Sequence, residues 1–398
     1  MFGIGRDILF ASAPASGTPP QGAPCRAGRG HGSGMKTLMP WSGPGRLASG
    51  SCALIGRRDA LGAMTLATLI GRDGPAAADP GPLPTAWAQF KARFVGPEGR
   101  VLDTGQAGAS HTEGQGWGML AALAVGDRAV FHQLHDWTRK QLSRPTDSLF
   151  SWRWRPGQTP PVDDPNNATD GDLYIAWALA RAGERWGDPA LLRAARSIGA
   201  DILRLLLREA HGHLVLMPGL QGFEDEQRIV LNPSYYVFSA FAALDRILPD
   251  ARWRRLTRDG LRLMRQARFG ASGLPPDWIE LQRATGTVSP ARGWEPRFGF
   301  DAVRVPLLLC WANHRAEPVL AAAARFAGDP ARGTVPAWLD LETGAVAPYP
   351  ASGGMQAIHD YASWCLNGGR PPAPALAASD DYYSAALKLL VLMAVAEA

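Results

Sequence analysis

Hydrophobic residues recur every three to four positions along most of the chain beyond residue 80, the spacing of one buried helix face. This pattern predicts ten helices: Trp87–Phe94, Gly116–Val125, Ala129–Leu142, Leu173–Trp186, Pro189–Leu207, Ser234–Leu248, Trp253–Arg268, Ala302–Asn313, Pro318–Phe326 and Tyr382–Ala396. Alternating, strand-like patterns are few and short, at Leu149–Trp154, His213–Met217 and Arg228–Leu231, and they predict hairpins between helices. The chain is therefore predicted to be all-α.

The loops between these segments are rich in Gly, Pro, Asn and Trp, and composition does not shift between residues 79 and 398. We therefore expect one domain of paired helices over 79–398, with long loops gathered at one end. The composition is globular, with 46% hydrophobic and 19% charged residues. The sequence has no run of 18 apolar residues, so no membrane span is predicted.

Residues 1–78 have a different character. Their first fifty residues are rich in Gly, Pro, Ala and Ser without periodicity, which predicts a disordered leader or an upstream start, with Met35 and Met39 both open as the true initiator. Arg57 and Arg58, an apolar run up to Ile70 and three alanines at 76–78 follow. This is the pattern of an export signal, of twin-arginine type. It predicts a periplasmic or secreted protein; the alternative is the start of an ordinary buried helix.

The leader also accounts for the formal charge of +5. Residues 1–78 hold eight basic and three acidic residues, so residues 79–398 are neutral overall. No nucleic-acid partner is expected from this distribution.

The sequence offers little for metal, redox or nucleophile chemistry. The histidines are scattered, and C-x-x-C, H-E-x-x-H, P-loop and G-x-S-x-G motifs are absent. We expect neither a metal nor a cofactor. Beyond the leader, Cys310 and Cys365 are either a disulfide pair or free buried thiols.

The segment around Glu113 is the most unusual in the chain. Glu113 lies among three glycines and Trp117, directly before an apolar helix. A carboxylate there would complement the helix dipole. The glycines, however, reduce helix stability unless something approaches the backbone closely, which favours a functional carboxylate.

A second acidic segment contains Thr169, Asp170 and Asp172 before the helix that begins near Leu173. One of the three is expected to be the N-cap. At least one carboxylate then remains free to face the loops, where ligands bind.

In the third segment, Asp301 and Arg304 are three residues apart and would share one helix face. Taken alone, this pair is explained by a structural ion pair at a helix start. In a functional interpretation, the cation keeps Asp301 ionised and oriented, as a base that holds a water molecule requires.

Aromatic residues in predicted loops accompany these acids. Thirteen of the fourteen tryptophans follow the leader. Any single one is readily explained by core packing, but aromatic residues interleaved with carboxylates are typical of a cleft in which sugar rings stack. The candidates for substrate binding are Trp117, Trp152, Trp294 and Tyr235, together with Arg304.

Five segments, SHTEGQGWGM, LFSWRW, NNATDGDLYIAWAL, NPSYYVFSA and FGFDAVRVP, occur in this order between about Trp87 and Tyr361. Together they closely resemble glycoside hydrolase family 8, in particular the bacterial cellulases encoded with cellulose synthase. The resemblance implies an (α/α)6 barrel of six inner and six outer helices with a cleft at the loop end. The two helices beyond ten are expected in the loops at 270–300 and 330–380.

The resemblance also implies roles for individual residues. The family's general acid falls on Glu113 and its general base on Asp301, while Asp170 matches a third acid that binds the sugar at the cleavage point. Tyr235 matches a tyrosine near the catalytic water, and Arg304 the arginine beside the base. Trp117 departs from a tyrosine in relatives.

The expected activity is endo-β-1,4-glucanase action, with inversion of the anomeric configuration, on a β-1,4-glucan chain. The resemblance links it to bacterial cellulose biosynthesis and to the cellulose synthase complex as a partner. The alternatives are the same mechanism on xylan, chitosan or mixed-linkage glucan, and a non-catalytic glucan-binding subunit.

Overall fold

Helices account for most of the fold in the computed structural model, which describes residues 81–398. The predicted leader, its export signal, Cys25 and Cys52 lie outside the described residues. Eleven α-helices occur in the described part: α1 (Pro82–Phe94), α2 (Thr112–Val125), α3 (Arg128–Leu142), α4 (Thr169–Trp186), α5 (Pro189–Leu205), α6 (Phe238–Ile247), α7 (Ala251–Gln266), α8 (Arg304–Trp311), α9 (Pro318–Ala327), α10 (Gly353–Asn367) and α11 (Tyr382–Ala396).

Six helices form a closed inner ring, in the order α2, α4, α6, α8, α10, α11 and back to α2. The other five, α1, α3, α5, α7 and α9, pack on the outside of this ring. Burial separates the two layers, because α4 buries 14 of its 18 residues, whereas α7 buries six of 16 along a single stripe. The fold is an (α/α)6 barrel, as expected.

The twelfth helix position is not helical. Residues 368–381, between α10 and α11, contain Pro371, Pro372 and Pro374 and form no α-helix. Proline lacks the N–H that a helix interior needs and clashes with the preceding turn. The inner helices α10 and α11 therefore follow each other without an outer helix between them.

The loops carry short antiparallel strands: β1 (Ser110–His111) with β2 (Arg153–Trp154), β3 (Leu207–Ala210) with β4 (His213–Leu216), β5 (Arg228–Leu231) with β6 (Ile279–Gln282) and β7 (Val288–Pro290), and β8 (Arg297–Phe298) with β9 (Leu339–Asp340). The prediction of short strands in the loops is confirmed. The prediction of a helix within 270–300 is wrong, because this region forms β6, β7 and β8. A helix does occur within 330–380, namely α10.

Helix starts fall into two groups. Outer helices α3, α5 and α7 follow an aspartate whose carboxylate accepts hydrogen bonds from first-turn N–H groups, as N-caps do: Asp127, Asp188 and Asp250. Inner helices α2, α4 and α8 follow His111, Ala168 and Val303, none of which caps the helix with its side chain. These three inner helix starts carry the acidic residues singled out above.

Among the described residues, no helix is both long enough and apolar enough to cross a membrane.

Candidate active site

Three inner helices converge at one point of the loop end. Glu113 lies in the first turn of α2, Asp170 lies in the first turn of α4, and Arg304 is the first residue of α8. Asp301 lies three residues earlier, in the turn that leads into α8. Since helix N-termini carry unpaired N–H groups and a partial positive charge, this is a favourable place to gather carboxylates.

Glycines allow α2 and α4 to approach each other. A Cβ added at Gly116 would lie 2.5 Å from the Cβ of Tyr174, and one added at Gly171 would lie 2.0 Å from Thr112 Oγ1 and 2.8 Å from the Glu113 nitrogen. Neither position can accept a side chain without separating the helices. Gly116 and Gly171 are thus explained by close packing that brings Glu113 and Asp170 together, whereas Gly114 and Gly118 face Tyr382 and Val101.

Arg304 connects the acidic residues. Its Nη2 lies 2.8 Å from Asp301 Oδ1, 3.2 Å from Glu113 Oε1 and 4.0 Å from Asp170 Oδ2. The side chain is only 2% exposed, so this cation is a fixed part of the site. The predicted pairing of Asp301 with Arg304 is present, and it extends to two more carboxylates.

Asp301 has a second partner of a different kind. Asn232 Nδ2 donates to Asp301 Oδ2 at 3.1 Å, and Asn232 Oδ1 accepts from Ser234 Oγ at 2.7 Å. Ser234 Oγ in turn accepts from Arg304 Nη2 at 2.9 Å. The four side chains form a closed hydrogen-bonded ring that holds both carboxylate oxygens of Asp301 in place.

The acids differ in their access to solvent. The side chains of Glu113 and Asp301 are 22% and 21% exposed, whereas that of Asp170 is 4% exposed. Glu113 and Asp301 are therefore within reach of a molecule in the loops, and Asp170 and Arg304 lie beneath them.

Glu113 is the acid that keeps its proton. Burial, and then the charge of Asp170, raise the pKa of Glu113 well above its ordinary value, although Arg304 opposes this. A hydrogen bond links the Glu113 and Asp170 carboxyl groups and further favours the protonated form of Glu113. The site thus combines one protonated carboxylic acid with Asp301, whose two oxygens both accept hydrogen bonds.

The predicted capping role for the second acidic segment is wrong. Helix α4 starts earlier than expected, at Thr169, and Ala168 is its N-cap residue. Thr169 donates to the Met217 carbonyl, and Asp172 accepts from the Phe150 N–H and from Asn167. Asp170 accepts from the adjacent Gly171 N–H at 2.8 Å and otherwise faces Glu113 and Arg304.

Two residues predicted to stack against sugar rings, Trp117 and Trp152, are buried. Trp117 is 3% exposed and packs edge-on against Tyr174, with the Arg304 guanidinium 5.8 Å from its ring centroid. Trp152 is also 3% exposed and is covered by the His111 ring and the Arg153 guanidinium. Neither indole has a face open to a sugar, because each packs as part of the support beneath the site.

Trp294 remains a candidate for sugar stacking, and Tyr235, although only 5% exposed, remains a candidate through its hydroxyl group. Trp294 is partly exposed and stacks on Trp278, with ring centroids 5.6 Å apart. Tyr235 packs edge-on against Trp278. Burial, followed by the carboxylates of Asp170, Asp301 and Glu113, raises the pKa of Tyr235 well above its ordinary value. Its hydroxyl group therefore stays protonated beside all three acids.

Sequence reasoning missed several residues of the site. Asn232 and Ser234 lie within the segment NPSYYVFSA, but no local pattern distinguishes them from an ordinary helix start. Tyr383 donates to the Phe300 carbonyl next to Asp301, and Asp277 contacts the turn that carries Asp301. Both come from distant parts of the chain, so only the folded structure reveals them.

Among the described residues, no group of three or more His, Cys, Asp or Glu side chains is arranged to hold a metal ion. Cys310 and Cys365 are both buried and free, so of the two possibilities left open by the sequence, the structure has free thiols.

Comparison with known proteins identifies relatives of this chain. The "Probable endoglucanase" of Novacetimonas hansenii is 47% identical over 322 residues, which are 80% of this chain and 93% of that protein. The "Endoglucanase" of Cellulomonas uda is 41% identical over 69% of this chain and 76% of that protein. The solved structure of an endo-β-1,4-glucanase from Acetobacter xylinum superposes with a TM-score of 0.73 at 44% identity, covering 80% of this chain and 99% of the other.

Residues 58–397 match the family described as "Glycosyl hydrolases family 8". The match includes all three acidic helix starts and the arginine that joins them. The chain is a glycoside hydrolase and belongs to glycosyl hydrolases family 8.

Proposed function

We propose that this protein is an inverting endo-β-1,4-glucanase in which Glu113 is the general acid and Asp301 the general base. The observation that supports this most directly is the contact of two accessible carboxyl groups with one nitrogen of a buried arginine. Arg304 Nη2 is 2.8 Å from Asp301 and 3.2 Å from Glu113, yet burial and Asp170 raise the pKa of Glu113 well above its ordinary value. Hydrolysis with inversion requires a protonated acid and a separate carboxyl group that activates water.

In the proposed reaction, Glu113 donates its proton to the glycosidic oxygen as the bond to the anomeric carbon breaks. Asp301 takes a proton from a water molecule, whose oxygen attacks the anomeric carbon from the opposite face of the ring. The family resemblance assigns Asp170, which is buried beside Glu113, to binding of the sugar at the cleavage point. We assign Tyr235 to the attacking water, as the family resemblance implies, because its hydroxyl group stays protonated.

The substrate assignment rests on the relatives. The two curated relatives described above are named endoglucanases, and the solved structure is named an endo-β-1,4-glucanase. Because each covers most of this chain at 41–47% identity, we infer a β-1,4-glucan such as cellulose as the substrate. Partly exposed Trp294 is the residue we infer to stack against a sugar ring.

The test of the roles is a pair of isosteric substitutions, Glu113→Gln and Asp301→Asn, assayed by the release of reducing ends from carboxymethylcellulose. We expect each to lower kcat by about 10²- to 10⁴-fold, the range for loss of general acid or base catalysis. Asp201→Asn, on the outer helix α5, is the matched control and should keep wild-type kcat. Wild-type activity in either site variant would overturn the assignment.

Inversion is tested separately by NMR of the first products. A β-linked glucan should release the α-anomer first, and initial release of the β-anomer would instead indicate retention. A hydrolysis panel of cellulose, xylan, chitosan and mixed-linkage glucan tests the substrate. Tight cellulose binding by wild-type protein with no turnover on any polymer would favour the non-catalytic glucan-binding subunit.

We further propose that the protein is exported to the periplasm or secreted, and that it acts with the cellulose synthase complex in bacterial cellulose biosynthesis. Support for export comes from Arg57, Arg58 and the apolar run that follows, and support for the synthase link comes from the family resemblance. Fractionation of cells carrying wild-type and Arg57→Lys/Arg58→Lys chains should show export lost in the double variant. Co-purification with the synthase tests the partner.

A further inference from the structure

We propose that Asp277 is a positioning residue for Asp301, holding the turn that carries it; the proposal rests on the proposed role of Asp301 as general base. Asp277 lies just before strand β6, in a part of the chain distant from helix α8. The side-chain partners of Asp301 are Arg304 and Asn232. Asp277 instead contacts the backbone of the turn, so it acts on the position of the backbone.

One oxygen of Asp277 accepts three hydrogen bonds from the backbone of that turn. Asp277 Oδ1 accepts hydrogen bonds from the N–H groups of Gly299 at 3.2 Å, Asp301 at 3.0 Å and Ala302 at 2.7 Å. Gly299, Asp301 and Ala302 all precede Val303, the N-cap residue of α8, which has no side-chain cap. The first N–H groups of α8, those of Arg304 and Val305, donate to the Asp301 and Ala302 carbonyls, so Asp277 holds the turn on which α8 begins.

Asp277 is itself firmly placed. Pro275 and Pro276 precede it, its N–H donates to the Arg297 carbonyl at 2.7 Å, and the next residue, Trp278, is 1% exposed. The carboxylate therefore transmits the position of a rigid neighbouring segment to the Asp301 turn, as supporting groups of a preorganised site do.

Gly299 makes this contact possible. A Cβ added at Gly299 would lie 2.8 Å from Asp277 Oδ2, closer than carbon and oxygen atoms pack. A side chain here would push the carboxylate away from the three N–H groups. The glycine before Phe300 and Asp301 is therefore explained by the approach of Asp277.

The charge of Asp277 is poorly explained by its hydrogen bonds to the turn alone. Burial, and then the neighbouring Asp301 carboxylate, raise the pKa of Asp277 to about 7. An asparagine caps a helix about as well as an aspartate does and carries no such charge. Of the charged groups, Asp301 is the one that acts on Asp277 most strongly. An ionised Asp277 would favour the transfer of a proton from water to Asp301.

The test compares Asp277→Asn and Asp277→Ala with the matched control Asp188→Ala, which removes a carboxylate that accepts the N–H groups of Ala190 and Leu191 at the start of outer helix α5. We expect Asp277→Ala to lower kcat about 100-fold, the size of effect produced by a small misplacement of a catalytic group. KM should stay within twofold, because Asp277 does not bind sugar. Asp188→Ala should lower the melting temperature but keep kcat.

Asp277→Asn keeps an acceptor oxygen and should therefore retain more activity than Asp277→Ala, while the pH profile of kcat/KM should lose an ionisation near pH 7. If Asp277→Ala fails to fold, the decision passes to Asp277→Asn and to Gly299→Ala, which we also expect to lower kcat at constant KM. Folded variants with wild-type kcat and an unchanged pH profile would overturn the proposal. The proposed function fails independently, if Asp301→Asn itself remains active.

Discussion

Burial, together with the contact with Asp170, favours the protonated form of Glu113. Both side chains lie near Arg304, but Asp170 is almost fully buried and accepts a hydrogen bond from Glu113. Besides burial, the charge of Asp170 and this hydrogen bond raise the pKa of Glu113. Asp170 is therefore expected to set the upper pH limit of activity, in addition to any contact with the sugar.

Replacing Asp170 by asparagine should move the alkaline limb of the kcat/KM profile to lower pH. Without the carboxylate, less opposes the ionisation of Glu113, whose pKa falls toward its ordinary value. Profiles normalised to their maxima separate this shift from the overall loss of rate. Asp201→Asn is the control and should superpose on wild type; an alkaline limb that stays in place or moves to higher pH would contradict the prediction.

At the scale of elements, the site depends on how closely α2 and α4 cross. Gly171 faces Thr112 and the Glu113 nitrogen across this crossing, so the helix spacing determines the distance between Glu113 and Asp170. The outer helix α5 offers a contrasting glycine. A Cβ at Gly199 would meet its nearest neighbours at 3.4 to 3.6 Å, which is ordinary contact.

Gly171→Ala should therefore destabilise the fold by about 1–3 kcal/mol, the usual effect of overpacking, and should lower kcat at least tenfold by moving Glu113. Gly199→Ala should keep wild-type kcat and be neutral or slightly stabilising, because alanine favours the helix. Urea unfolding and kcat on carboxymethylcellulose measure the two effects. Equal behaviour of the two variants would argue against a tight crossing.

Sequence periodicity predicted the helices that bury a clear stripe or a continuous apolar run, with α11 placed at Tyr382–Ala396 to the residue. It missed α10, whose first turn contains Gly353 and Gly354. A Cβ at Gly354 would lie 2.4 Å from the Ser384 carbonyl, so the pair reflects close packing against α11. Propensity alone could not indicate this, since the reason lies in another part of the chain.

The same distinction applies to the site. The Asp301–Arg304 pair was predicted because three-residue spacing on a helix is a local rule. The contact of Arg304 with Glu113 joins residues 191 positions apart and depends on closure of the whole ring. Trp117 and Trp152 were expected in the cleft, but their burial depends on contacts with residues far away in the chain or in neighbouring loops, which a local pattern does not reveal.

Across the whole molecule, buried acids make stability depend on pH. Burial raises the pKa of Asp172, which is fully buried, to about 8 and, together with Asp301, that of Asp277 to about 7. The folded protein then binds protons that the unfolded chain releases, so stability falls as pH rises toward these values. Burial lowers the pKa of His135 and His359 to about 4, which opposes this trend only below about pH 6.5.

The free energy of unfolding of wild type should therefore fall more steeply between pH 6.5 and 8 than that of Asp172→Asn. The expected difference over this interval is about 2 kcal/mol, from one proton per molecule. Denaturant titrations at several pH values measure the slope, which is independent of any constant loss of stability in the variant. Asp360→Asn, on exposed α10 surface, should keep the wild-type slope; parallel slopes for wild type and Asp172→Asn would contradict the prediction.

The contact of one arginine nitrogen with both Glu113 and Asp301 has a consequence for the turnover cycle. In the proposed reaction, Glu113 gives up one proton and Asp301 gains one, so the total charge around Arg304 is the same before and after cleavage. The sugar is uncharged on arrival and on departure. Each turnover therefore leaves Asp301 protonated and Glu113 ionised, the reverse of the resting site. Before the next turnover, Asp301 must lose its proton and Glu113 must gain one. Arg304 holds its own protons too tightly to carry it, so the return passes through water.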